Sequence, residues 1–151
     1  MSAPSKPKWA NPEPEVHRAL ARWAAHCADR ALPVFEAWDP GDLRPRHALE
    51  VLRAWVRGDV PMTECRTAAF AAHAAARAAT QAGEAAATAA ARAAGQAAAV
   101  AHMFDHCSHA AIYAAKSIGL RDGEAAREAE RQHQWESLDP QLRSLGFPKG
   151  L

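Results

Sequence analysis

Residues 71–102 read AAHAAARAATQAGEAAATAAARAAGQAAAVAH, and twenty of these thirty-two residues are alanine. No other feature restricts the fold as strongly. Alanine has the highest helix propensity, and its methyl group lets neighbouring backbones approach closely. Such a segment makes tightly packed helices and offers none of the period-two alternation of a strand. Set into the alanine are His73, Arg77, Thr80, Gln81, Glu84, Thr88, Arg92, Gln96 and His102. What these large polar groups do there is the functional question.

Their spacing gives a first answer. Arg66, Phe70, His73 and Arg77 are separated by four, three and four residues, so one helix face carries all of them. Thr88, Arg92, Gly95, Ala99, His102 and His106 form a second, slowly drifting stripe, which His109, Tyr113 and Lys116 extend if the helix continues. An ordinary solvent face would mix Glu, Lys and Gln, as Glu124, Arg127, Glu128, Glu130 and Arg131 do near the C-terminus. Two arrangements fit the stripes. The polar groups stand at the solvent edge or bond backbone carbonyls singly; alternatively, two antiparallel helices bring them together in a shared pocket. Buried arginines need partners. A pocket of Arg66, Arg77 and Arg92 would therefore require carboxylates, such as Glu50 or Asp105, or an anionic ligand.

Elsewhere the chain is punctuated as a series of helices. Residues 1–12 are proline-rich and read as a disordered arm, 13–138 as a single helical domain, and 139–151 as a tail. A first helix starts near Pro14, buries Val16, Leu20, Trp23, Cys27 and Val34, and is expected to bend or stop at Pro33. RHALEVLRAWVRG is a second helix closed by Gly58, a third ends at Gly83, and a fourth spans roughly Glu84 to His106. Ser108 caps a fifth helix unless the two are continuous. A charged last helix holds Trp135 and ends at Asp139-Pro140. The expected fold is all-α, a compact bundle of five or six helices with alanine-rich central members.

Composition narrows the function classes. Eighteen Lys and Arg against seventeen Asp and Glu give a net charge of +1, so no nucleic-acid partner is implied. The chain opens on no leader and carries no membrane-spanning run, and a cytoplasmic protein is expected. Cys27, Cys65 and Cys107 are widely spaced and read as reduced thiols. His102, His106 and His109 have helical spacing, but no HExxH or second ligand cysteine accompanies them, so no metal and no cofactor are assigned. No nucleophile–base–acid set or glycine-rich phosphate loop is readable, and no residue is assigned as catalytic. Arg46 and Glu50 are spaced for an ion pair, and Arg44, preceding Pro45, is expected to be extended.

Taken in order, RPRHALEVLRAWVRG, CRTAAFAAHAAARAA, AARAAGQAAAVAHMFDH and HAAIYAAK resemble a bacterial family of immunity proteins, the "immunity protein five"-like domain. The resemblance runs from roughly Glu15 to Trp135. It implies a cytosolic antidote of a polymorphic-toxin system, with a cognate toxin domain or a small toxic molecule as partner. The family's polar pattern falls on Arg44, Arg46, Glu50, Trp55, Arg57, His73, Arg77, Arg92, His102, His106, Tyr113 and Lys116, while Gln96 stands where the family has histidine. Adding Arg66 from the first stripe and Gln96 from that position, and leaving out Arg57, gives the candidate ligand-binding set. The charged last helix is the expected toxin-facing surface. The alternative is a protein, enzyme or not, that binds a small anion in an Arg/His-lined pocket. Alanine faces also pack between chains, so a homo-oligomer fits the sequence too.

Overall fold

The computed structural model describes residues 10–151; of the expected arm, residues 1–9 lie outside the described residues. Every described element is helical: α1 (Pro14–Trp38), α2 (Arg44–Val56), α3 (Met62–Gln81), α4 (Ala85–Ala99), α5 (His106–Asp122), α6 (Glu124–Ser137), one 3-10 turn (Pro140–Leu142) and α7 (Arg143–Gly146). The four-residue α7 takes the number of α-helices to seven, where five or six were expected.

Alanine has its structural reason in α4. This helix packs against α1, α2, α3 and α5. Nine of its fifteen residues are buried, and all nine are alanine or glycine. A helix surrounded by four others has no room for larger side chains at normal interaxial distances. Its one continuous unburied seam is Thr88, Arg92, Gln96 and Ala99, stepping by about one turn. Bulk comes from the neighbours: Leu20, Phe35, Leu49, Leu52 and Val100 are the larger fully buried apolar side chains.

Two sequence expectations are corrected. Pro33 does not stop the helix, because α1 runs on to Trp38. The proline is exposed, whereas Ala31, Leu32, Val34 and Phe35 are buried and hold the helix across its missing hydrogen bond. The fourth helix does not reach His106. It ends at Ala99, and residues 100–105 turn the chain into α5. Side chains distant in sequence fix that turn. His17 Nε2 donates to the Val100 carbonyl at 2.5 Å, satisfying one of the acceptors a helix end leaves open. Asn11 donates from Nδ2 to the His102 carbonyl (3.0 Å) and accepts at Oδ1 from the Phe104 N–H (2.9 Å). Ser108 lies inside α5 and caps nothing; its hydroxyl donates to the Asp105 carbonyl.

The C-terminal part closes over α1 and α5. Glu130, 5% exposed, accepts from Arg30 at 2.5 and 3.0 Å, and His26 Nε2 meets His133 Nε2 at 3.0 Å. Gln134 is fully buried and donates from its side-chain amide to the Ala111 carbonyl at 2.8 Å, while its main-chain carbonyl accepts from Trp23 Nε1. Within the stretch expected as a tail, Phe147 is buried between Trp23 and Trp135, at ring-centroid distances of 5.5 and 5.1 Å.

Candidate functional site

The α3 stripe and the α4 seam face each other, and the 100–105 turn folds His102 and His106 onto the same place. Arg66, Ala69, Phe70, His73, Gln96, Ala99, His102 and His106 line an open groove of about 440 Å³. Its walls are alanine and phenylalanine, and no carboxylate lines it.

His73 anchors the floor. Its ring lies flat against Gly95: a Cβ there would stand 2.6, 2.8 and 2.9 Å from three atoms of the imidazole. Glycine is thus required in α4 for the ring to approach, despite its cost in helix propensity. Arg92 donates from Nη1 to His73 Nδ1 at 2.9 Å. A guanidinium can only donate, so Nδ1 is unprotonated and the neutral ring carries its hydrogen on Nε2. Burial pushes the His73 pKa down to about 4, and the charges of Arg92 and Arg77 and the nearby His106 push the same way. His106 is also held below the usual histidine value, chiefly by burial, with Asp105 opposing. Its Nδ1 lies 2.7 Å from Gln96 Oε1, which accepts the ring hydrogen and leaves Nε2 a lone pair. Gln96 thus positions the imidazole.

At the rim, Arg66 Nη2 is 3.3 and 3.4 Å from the two ring nitrogens of His102. Near-equal distances to both put the guanidinium over the ring face, a cation–π placement. His102 is itself held by the Asn11 clasp on its carbonyl. The groove therefore combines neutral imidazoles as hydrogen-bonding groups with guanidinium cations, in apolar surroundings that strengthen both.

Gly95→Ala is expected to drive the His73 ring outward and break its bond to Arg92. Net stability should change by less than about 1 kcal/mol, because the gain in helix propensity offsets lost packing. The His73 pKa should rise toward 6.5 as the ring meets solvent. An NMR titration of the ring protons checks this; an unchanged His73 titration would contradict the contact.

The sequence-derived candidates do not all converge. Arg66, His73, Gln96, His102 and His106 line the groove, and Arg92 stands behind His73. Arg77 is exposed on α3 beyond the groove lining, near enough to act on His73. Tyr113 and Lys116 line a separate cavity of about 280 Å³ with Thr80 and Thr88. The break after Ala99 re-aims the stripe they were expected to continue. The α2 candidates are elsewhere. Arg44 is the first residue of the helix rather than extended, and pairs with Asp42 at 2.7 Å. Arg46 pairs with Glu36 at 2.5 Å, not with Glu50, which is exposed. Trp55 packs edge-on against His17, with centroids 4.9 Å apart.

Sequence reasoning missed His17 and Asn11, since both act on residues more than eighty positions away. Phe70 lay on the stripe but was not chosen as a site residue. His109 is exposed and its ring centroid is 6.1 Å from that of His106, outside the groove lining. Among the described residues, no group of three or more His, Cys, Asp or Glu is placed to hold a metal ion. All three thiols are buried, and burial raises each pKa, to about 11 for Cys65 and about 12 for Cys107. They are poor nucleophiles where they stand.

Residues 10–141, nearly the whole described fold, match the family described as Imm-5 like putative immunity protein. The chain belongs to this family. The match spans α1 to α6 and so includes every residue of the groove. No curated protein and no solved structure matches the chain. Among the described residues, no helix is long and apolar enough to cross a membrane.

Proposed function

We propose that this protein is a cytoplasmic immunity protein, an antidote that neutralises a toxin by binding it and performs no chemistry of its own. The family match over residues 10–141 carries this reading. The groove supports it physically. It offers arginine and aromatic groups at an exposed rim, the residue types that dominate binding energy at protein interfaces. The rigid alanine-packed frame beneath it limits the ordering cost of association.

The test is protection. Co-expression with the toxin gene that adjoins its own should restore host growth, and the two purified proteins should elute as one complex. A host killed equally with and without this chain would remove the antidote reading.

A second reading rests on the groove volume. About 440 Å³ lies within the range of small-molecule sites, so a toxic metabolite bearing an anionic group is the alternative cargo. Native mass spectrometry of the protein from its own host separates the two. Added mass of a few hundred daltons would favour the metabolite, and a captured protein would favour the toxin.

A further inference from the structure

Among the described residues, seven arginines meet a carboxylate within 4 Å: Arg30, Arg44, Arg46, Arg53, Arg57, Arg121 and Arg127. Arg18, Arg22, Arg131 and Arg143 form no such pair either, but only Arg66, Arg77 and Arg92 gather about one groove. Among the described residues, Arg92 bonds only the His73 ring, Arg66 only the His102 ring, and Arg77 has no side-chain partner. The carboxylates that the sequence offered do not fill the gap. Glu50 is exposed on α2, and Asp105 forms no ion pair with any of the three. Guanidinium charge is thus concentrated on one apolar-walled face without internal neutralisation, a field that attracts an anion.

We infer that this groove receives a carboxylate side chain of the toxin, held between Arg66 and the neutral His73, with an apolar toxin residue lying over Phe70. The inference rests on the antidote reading and names the recognition chemistry of that complex.

Two observations favour a protein-borne acid over a free small anion. Phe70 is 66% exposed at the rim, and a small ligand seated inside the groove would leave its outer face in water. Arg77 lies eleven residues beyond Arg66, about 16 Å along α3, and outside the groove lining. No molecule confined to the groove reaches both, whereas a protein surface does. A carboxylate suits the site because Arg66 can present parallel N–H donors to it. His73 adds an Nε2–H donor, since Arg92 occupies its Nδ1. The exposed acids of α6 are already matched internally in part: Glu124 pairs with Arg127 and Glu136 accepts from Gln132. That lowers the claim of the last helix as the toxin-facing surface.

The experiment has two arms, both on the full chain. In the first, benzoate and its neutral isostere benzamide are titrated while the ring resonances of His73 and His106 are followed by NMR. Benzoate should give saturable shifts and bind about tenfold tighter than benzamide. Arg66→Gln should reduce benzoate to the benzamide level, and Arg121→Gln should leave it unchanged. In the second arm, the toxin encoded beside the gene is titrated calorimetrically with the wild type and with the Arg66→Gln/Arg77→Gln chain. The double variant should bind at least about tenfold more weakly, with a shallower dependence on salt.

Equal binding of benzoate and benzamide overturns the inference, as does inorganic phosphate displacing benzoate at equal concentration. Saturable benzoate binding with full toxin affinity in the double variant overturns the toxin as the source and leaves a free small anion. In each of these cases the antidote reading survives. A wild-type chain that neither binds the toxin nor protects against it overturns that reading and this inference together, while the benzoate arm still reports the chemistry of the groove.

Discussion

Acidification from pH 7 to pH 4 should cost this protein about 2–3 kcal/mol of stability through His73 alone. The native ring is held neutral with a pKa of about 4, while the unfolded chain titrates near 6.5. Between those values the unfolded state binds more protons, so stability falls as pH falls and levels off below about 4. The difference in pKa corresponds to about 3 kcal/mol, and partial solvent access to the ring reduces it toward 2. His106 and His26 are depressed as well, both chiefly by burial, and add in the same direction. Urea unfolding at pH 7 and pH 4.5 measures the effect. In a His73→Asn chain, whose side-chain oxygen can still accept from Arg92, the His73 share of the pH dependence, about 2–3 kcal/mol, should disappear. If the two chains lose stability in parallel, His73 is not the group responsible.

Phe147→Ala should be among the most damaging single truncations outside the groove, at about 3–5 kcal/mol. The ring is 4% exposed and meets Trp23 and Trp135, with the Arg131 guanidinium 4.6 Å from its centroid. Gly146 beside it is pressed so close to Leu138 that a Cβ would stand 2.5 Å from it, so α7 has little freedom to refill the space. An alanine-rich core makes the loss weigh more. Each alanine buries little area, and the few large residues carry a disproportionate share of the hydrophobic gain. Removing this one takes a substantial part of a total that rarely exceeds about 15 kcal/mol. Chemical denaturation followed by tryptophan fluorescence reads the change, because both contacting rings are tryptophans. A cost below about 1 kcal/mol would mean that the C-terminal segment is not part of the cooperative fold.

These expectations also mark what a sequence of this kind can and cannot tell. Period and propensity led directly to the α3 stripe of Arg66, Phe70, His73 and Arg77, since residues three and four apart on a helix share a face wherever that helix goes. Gly58 and Gly83 were legible as helix ends because each adopts positive φ there, 81° and 75°, which disfavours other residues. The α4 seam was only half legible. Thr88, Arg92 and Ala99 belong to it, but Gln96 rather than Gly95 continues it, and Gly95 turns inward beneath the His73 ring. Arg46 found Glu36 on another helix instead of Glu50 on its own, because an exposed ion pair gains too little to dictate its partner from spacing alone.

By itself, then, the sequence determined an all-helical chain with an alanine helix at its centre, the polar faces of α3 and α4, and membership of the family. Those are properties of local periodicity and of residue order, and they survive any arrangement of the helices. Tertiary structure decided the rest. It broke the chain at Ala99, because His17 and Asn11 hold the following turn from the N-terminal side. It brought His102 and His106 back over Arg66 and His73, and sent Tyr113 and Lys116 to a different cavity. It also left Arg66, Arg77 and Arg92 without a carboxylate while pairing seven other arginines. Whether a charge is neutralised depends on which side chains meet across helices far apart in the chain. No spacing along one helix encodes that.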